Sequence, residues 1–108
     1  MFARILNLEV KLDKKEEFVK VVKNQVLPIL KKQTGFLEIL PFSAEKTREE
    51  TVFTVSLWTT KQDAERYERE WYPKVFAIVK PFLTAPVVVN YYNLETTLCE
   101  HFVEALTA

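Results

Sequence analysis

The strongest constraint in this 108-residue chain is a strand-like run, VFTVSLWTT from Val52, that passes directly into a helix-like run, KQDAERYEREWYPKVFAIVK. Successive side chains of a strand point to opposite faces. Here both sets carry apolar or aromatic residues, Val52 and Trp58 on one and Phe53, Val55 and Leu57 on the other. Such a strand belongs inside a sheet covered on two sides. A single domain of this length has little chain with which to form both covers, so the pattern predicts a second copy as one of them.

The remaining segments fit the same sheet. Residues 2–12, FARILNLEVKL, read as a strand with Leu6, Leu8, Val10 and Leu12 on one face and Ala3, Ile5, Asn7 and Glu9 on the other. Asp13 and Glu16 form a capping-box pattern ahead of a helix over residues 14–33, with Phe18, Val22, Val26, Ile29 and Leu30 on its buried stripe. Pro28 predicts a kink in it and Gly35 a left-handed ending. Residues 36–42 read as the second strand, SAEKTREE as a solvated connection and residues 51–59 as the third strand.

Thr60 caps the second helix, whose stripe is Ala64, Tyr67, Trp71, Val75 and Ile78, with Pro73 interrupting it. Residues 86–95 form the fourth strand, and a Thr97/Glu100 pattern predicts a short C-terminal helix. The order β-α-β-β-α-β is the ferredoxin-like, split-βαβ arrangement of the α+β class. Right-handed crossovers give an antiparallel sheet of order 4-1-3-2 with two helices on one face. Residues 1–95 form the domain and residues 96–108 the tail. Ala3, Ile5, Val88 and Tyr92 fall on the bare face, which predicts a homodimer through the sheet.

Composition removes several function classes. The single glycine cannot build the glycine-rich loops that cradle nucleotide phosphates. One histidine and one cysteine cannot supply a zinc site of nitrogen and sulfur ligands. Zero net charge argues against nucleic acid as a partner, and Lys20, Lys23 and Lys31 read as a solvated stripe. No apolar run approaches a membrane span. With no export signal and one cysteine, the expected location is cytoplasmic.

The β-α-β-β-α-β order with a tryptophan closing the third strand, in SLWTTKQDAERYEREWYP, resembles the antibiotic biosynthesis monooxygenase domain of the dimeric α/β-barrel superfamily. The resemblance covers residues 2–94. It implies a cofactor-free reaction in which an activated phenol or hydroquinone gives an electron to oxygen in a pocket between helices and sheet. On that basis the pocket residues are Asn7, Trp58, Tyr67, Trp71, Tyr72 and Tyr92. The haem-degrading branch of the superfamily uses a histidine on the second helix, near Ala77 here, and this helix has none.

Each candidate also has a plain structural reading. Trp58 suits a core anchor, and Tyr67 and Trp71 stand at i and i+4 on a buried stripe. Asn7 lies among apolar neighbours and needs a partner from backbone or ligand. Cys99 and His101 are two apart on the expected tail helix, so their side chains diverge. Two rivals to the enzyme reading therefore stand: a non-catalytic dimer that binds a small ligand or serves a stress role, and a dimer whose pocket is filled by its own aromatics. The volume of space beneath the second helix separates them.

Overall fold

The computed structural model describes residues 1–43 and 51–95. Four strands form one antiparallel sheet: β1 (Phe2–Glu9), β2 (Phe36–Ser43), β3 (Thr51–Trp58) and β4 (Val88–Asn93), in the order β2-β3-β1-β4. That is the order expected for the ferredoxin-like arrangement. β3 lies inside the sheet, as its two apolar faces require, pairing with β1 (Asn7 opposite Phe53) and with β2 (Phe42 opposite Phe53). β2 is an edge strand, and it accommodates Pro41 and a bulge between Phe36 and Glu38.

The helical layer covers one face. The even residues Phe2, Leu8, Val52 and Trp58 join Phe18, Val26, Leu30, Ala64, Tyr67, Val75 and Val79 in one core. The odd residues of β1 and β3 face away from it. On that face Phe42, opposite Phe53, and Val88, opposite Asn7, are about half exposed, at 51% and 54%, and Phe42 meets Phe53 in a tilted arrangement with ring centres 6.0 Å apart.

Both helical regions are broken where proline demands it. The first comprises a 3₁₀ turn at Leu12–Lys14, α1 (Lys15–Val21), a π-helical turn at Val22–Val26 and α2 (Leu27–Lys31). Pro28 has no N–H to give to the preceding turn, and the wider π turn lies just ahead of it in place of a simple kink. The expected Asp13 cap does not form; Asp13 lies inside the 3₁₀ turn and neither α1 nor that turn has a side-chain cap bond. Gly35 does adopt the left-handed conformation, at φ 81°, but it lies beyond the end of α2, whose C-cap is Lys32, and so does not itself end the helix.

The second region is α3 (Lys61–Glu70) followed by α4 (Tyr72–Val79), with Pro73 in the first turn of α4. Thr60 caps α3 as expected, its Oγ1 accepting from the Asp63 N–H at 3.1 Å. Trp71 is the junction residue, at φ −121°, and the break turns it off the buried stripe. Val75 and Val79 continue the stripe instead. The predicted tail helix, with Cys99 and His101, lies outside the described residues.

Candidate functional site

A charged side chain stands on the core face of β1. Period-two alternation puts Arg4 in line with Phe2, Leu6 and Leu8, beneath α3, and the residue is 2% exposed. A buried guanidinium needs partners, because desolvation of an ion is costly. Arg4 finds an incomplete set. Its Nε donates to Glu68 Oε2 at 3.3 Å, and its guanidinium carbon lies 4.7 Å from the Tyr72 ring centre and 5.4 Å from that of Tyr67. Its Nη2 is buried with no hydrogen-bond partner among the described residues.

The neighbouring groups hold this arrangement in place. Trp58, fully buried, stacks on Tyr67 at 5.1 Å between ring centres and meets Phe36 edge-on at 5.4 Å. Its indole Nε1 donates to Ser56 Oγ at 3.0 Å, and Ser56 Oγ donates in turn to the Arg4 carbonyl at 3.4 Å. The chain from Trp58 to Arg4 thus crosses from β3 to β1 through groups that are all buried. On the other side, the Tyr91 hydroxyl donates to the second carboxylate oxygen of Glu68. Glu68 therefore joins Arg4 of β1 to Tyr91 of β4, which are register partners in the sheet.

Two spaces flank this Arg4–Glu68–Tyr91 bridge. The inner one is a cavity of about 70 Å³ between helices and sheet, with Arg4, Ser56, Tyr67 and Tyr72 among aliphatic side chains in its wall. The outer one is an open cleft of about 710 Å³, lined by Phe2, Glu68, Tyr91 and Tyr92 with Lys61 and Arg69 at its margin. Ligand pockets for small organic molecules typically occupy about 300–1,000 Å³. Of these two spaces, the outer cleft reaches that size and the inner cavity does not.

The phenols are held in their neutral form. Burial raises the pKa of Tyr67 from 10.0 to about 12, against an opposing pull from the Arg4 charge. Burial also raises Tyr72, again opposed by Arg4. Tyr91 is raised too, by burial first and then by its hydrogen bond to Glu68. These hydroxyls are hydrogen-bond donors near neutral pH rather than bases. Among the described residues, no group of three or more His, Cys, Asp or Glu side chains has the arrangement to hold a metal ion.

The six residues named from sequence separate into distinct places. Tyr67 and Tyr72 line the inner cavity, and Tyr92 lines the outer cleft. Trp58 stands behind Tyr67 as its stacking partner. Trp71 faces outward, 36% exposed, with the Lys74 ammonium 4.5 Å from its ring centre. Asn7 is an odd residue of β1 opposite Phe53 and Val88, on the sheet face away from the cavity. Sequence reasoning passed over Arg4, Ser56, Glu68 and Tyr91. The signal for Arg4 was present, as a charge at an even position of a strand whose other even residues are apolar.

Residues 1–76 match the family model described as antibiotic biosynthesis monooxygenase. The chain belongs to the antibiotic biosynthesis monooxygenase family. No curated protein matches it. Solved structures share the fold of this family member at low identity. A conserved protein from Methanosarcina mazei Go1 is 18% identical, with a TM-score of 0.72 over 88% of this chain and 94% of that one. The Rv0793 protein of Mycobacterium tuberculosis is 14% identical, with a TM-score of 0.69 over 86% and 93%. A monooxygenase from the gene ActVA-Orf6 of Streptomyces coelicolor, in complex with the ligand nanaomycin D, is 15% identical, with a TM-score of 0.70 over 87% of each chain.

On the family fold, the Arg4 cluster supplies one fixed cation, three phenolic donors and one carboxylate at the meeting of a large cleft and a small cavity. Fixed donors and a cation in a desolvated wall stabilise negative charge as it develops on a bound molecule. The described helices include none long and apolar enough to cross a membrane.

Proposed function

We propose that the protein is a homodimeric, cofactor-independent monooxygenase acting on a small aromatic compound of phenol or quinol type. The observation that carries this reading is the Arg4 guanidinium, incompletely paired among the described residues, in the wall of the inner cavity and bonded to the Glu68 carboxylate of the cleft wall, in a member of this family. The substrate lies in the outer cleft against Phe2 and Tyr91, where the volume suits a ring system. The Arg4 charge, with the Tyr91 hydroxyl on the shared Glu68 carboxylate, favours the deprotonated phenol. A phenolate is a far better one-electron donor than its parent phenol. With dioxygen as oxidant, a ring CH₂ becomes a carbonyl; one oxygen atom enters the product and the other leaves as water with the two hydrogens.

Glu68 is the carboxylate within reach to take the phenolic proton, and its second hydrogen bond to Tyr91 keeps it at the cleft wall. The sheet face away from the helices supports the dimer: Leu40, Phe42, Val88 and Tyr92, the register partners of Val55, Phe53, Asn7 and Ala3, are each more than a third exposed there. The single cysteine suits the cytoplasm as its location. Oxygen uptake across a panel of hydroquinones and anthrone-type phenols tests the reaction. Uptake by the native protein, greatly reduced in Arg4→Met and retained in Trp71→Phe, is the expected pattern; equal uptake by Arg4→Met refutes the role given to the cation.

The small volume of the inner cavity, with Tyr67 and Tyr72 in its wall, favours a second reading, a dimer whose pocket beneath the second helix is filled by its own aromatics. Native protein that neither binds a phenol nor takes up oxygen identifies that case.

A further inference from the structure

The outer cleft is built from two unlike walls. On the strand side stand Phe2 of β1 and Tyr91 of β4, whose rings stack with centres 6.0 Å apart and planes 24° from parallel. On the helix side α3 presents Lys61, Glu65, Glu68 and Arg69, which fall on one stripe at spacings of three and four residues. That stripe extends roughly 12 Å along the helix axis. An occupant of such a cleft has an aromatic body and a polar edge. The charges on α3 decide the sign of that edge.

Most of these charges are already matched. Lys61 Nζ lies 3.7 Å from Glu65 Oε1, so that pair is neutral. Glu68 accepts from Arg4 Nε and from the Tyr91 hydroxyl. Arg69 differs. Its Nη2 lies 3.8 Å from Glu70 Oε1, too far for a hydrogen bond, and Glu70 is outside the cleft wall. Adjacent residues on a helix do not face each other, so that contact leaves the guanidinium able to turn into the cleft. Its N–H donors make no hydrogen bond among the described residues. The wall therefore carries a cation in excess, and it is Arg69.

We propose that the cleft takes an aromatic acid, a ring whose phenolic hydroxyl sits beside Glu68 and Tyr91 and whose carboxylate is held by the planar fork of Arg69. The assignment rests on the monooxygenase reading above for the phenol and on Arg69 for the acid. A guanidinium matches a carboxylate through two parallel N–H···O bonds. A monoanion suits the wall better than a phosphate dianion, because the excess cation balances a single charge and Glu65 and Glu68 repel a second. By holding the acid, Arg69 fixes which ring hydroxyl meets Glu68. It is a positioning and specificity-determining residue, with no part in the electron transfer.

Equilibrium binding of 6-hydroxy-2-naphthoate and of its uncharged methyl ester, each followed by its own fluorescence, tests this without turnover. The native protein should bind the acid about five- to tenfold more tightly than the ester at low salt, the gain expected of a charge-assisted pair at an exposed margin. The advantage should shrink in about 0.5 M salt. In Arg69→Gln it should vanish while the ester binds as before. Arg66→Gln removes a charge from α3 outside the cleft wall, where Arg66 pairs with Asp63 at 3.2 Å, and should leave the advantage intact. Acid and ester bound equally by the native protein overturn the proposal, as does an advantage that Arg69→Gln preserves. Acid bound through Arg69 with no oxygen uptake on any phenol leaves the aromatic-acid site standing and removes the monooxygenase reading. Oxygen uptake on phenols with no preference for the acid does the reverse.

Discussion

The Arg4–Glu68 pair predicts an asymmetry between its two deletions. The Arg4 side chain is 3% exposed and that of Glu68 is 33% exposed. Replacing Arg4 by methionine removes a buried charge and leaves Glu68 at the cleft wall, where water solvates it and Tyr91 still donates to it. The loss is then mainly the contact of the cation with the Tyr72 and Tyr67 rings, about 0.5–2 kcal/mol, offset by the removed desolvation cost and the retained apolar volume. Replacing Glu68 by leucine leaves a buried guanidinium with its carboxylate gone. Breaking a fully buried pair in this way costs about 3–5 kcal/mol. The partial exposure of Glu68 lowers that to roughly 2–3 kcal/mol, since water follows into the cleft. Urea unfolding at one fixed protein concentration measures both. Glu68→Leu should shift the midpoint down by about 1–2 M and Arg4→Met by less than half as much, with little change in slope. The double variant should resemble Arg4→Met alone. If Arg4→Met is the more damaging of the two, the guanidinium is a structural anchor and not an uncompensated charge held for a ligand.

Gly35→Ala should be destabilising by at least about 1 kcal/mol, since a Cβ there meets Asp63 at 2.2–2.6 Å in a φ 81° conformation; thermal unfolding reads it, and an unchanged midpoint contradicts the packing. Tyr67 should contribute alkaline instability. Its folded pKa of about 12 exceeds the unfolded 10.0, so stability is full below about pH 10 and is lost as pH rises through 12, by up to about 3 kcal/mol. Unfolding in the Tyr67→Phe variant should show a smaller loss over that window. On the bare face, Phe42→Glu should convert a dimer to monomer in sedimentation while leaving the far-ultraviolet spectrum unchanged; a native monomer at micromolar concentration removes the shared-sheet proposal.

The sheet was legible in the chain because period-two alternation is a strong signal when one face meets a core. β3 carried apolar residues on both faces and stands inside the sheet for that reason. Thr60 and Gly35 announced themselves by local chemistry that needs no tertiary partner. The site was less legible. Trp71 has helical spacing to Tyr67, and only the break before Pro73 takes it off the stripe. Asn7 shares its β1 face with Ala3 and Ile5, so the alternation itself separates it from Tyr67, although both belong to the pocket that the family resemblance implies. Glu68 is an ordinary surface carboxylate by sequence. Its role comes from the strand register that sets Tyr91 opposite Arg4, a contact across the whole domain that no local pattern encodes.

In the proposed reaction a deprotonated phenol in the cleft is the reductant of dioxygen, its charge favoured by Arg4 behind the Glu68 wall. Oxygen consumption by the metal-chelated protein with a hydroquinone or anthrone-type phenol, against the same compound capped as its methyl ether, tests it most directly. Uptake with the free phenol, none with the ether, and loss of the phenol-dependent rate in Arg4→Met are expected. Equal uptake with phenol and ether, or no uptake with any phenol that binds the cleft, contradicts it.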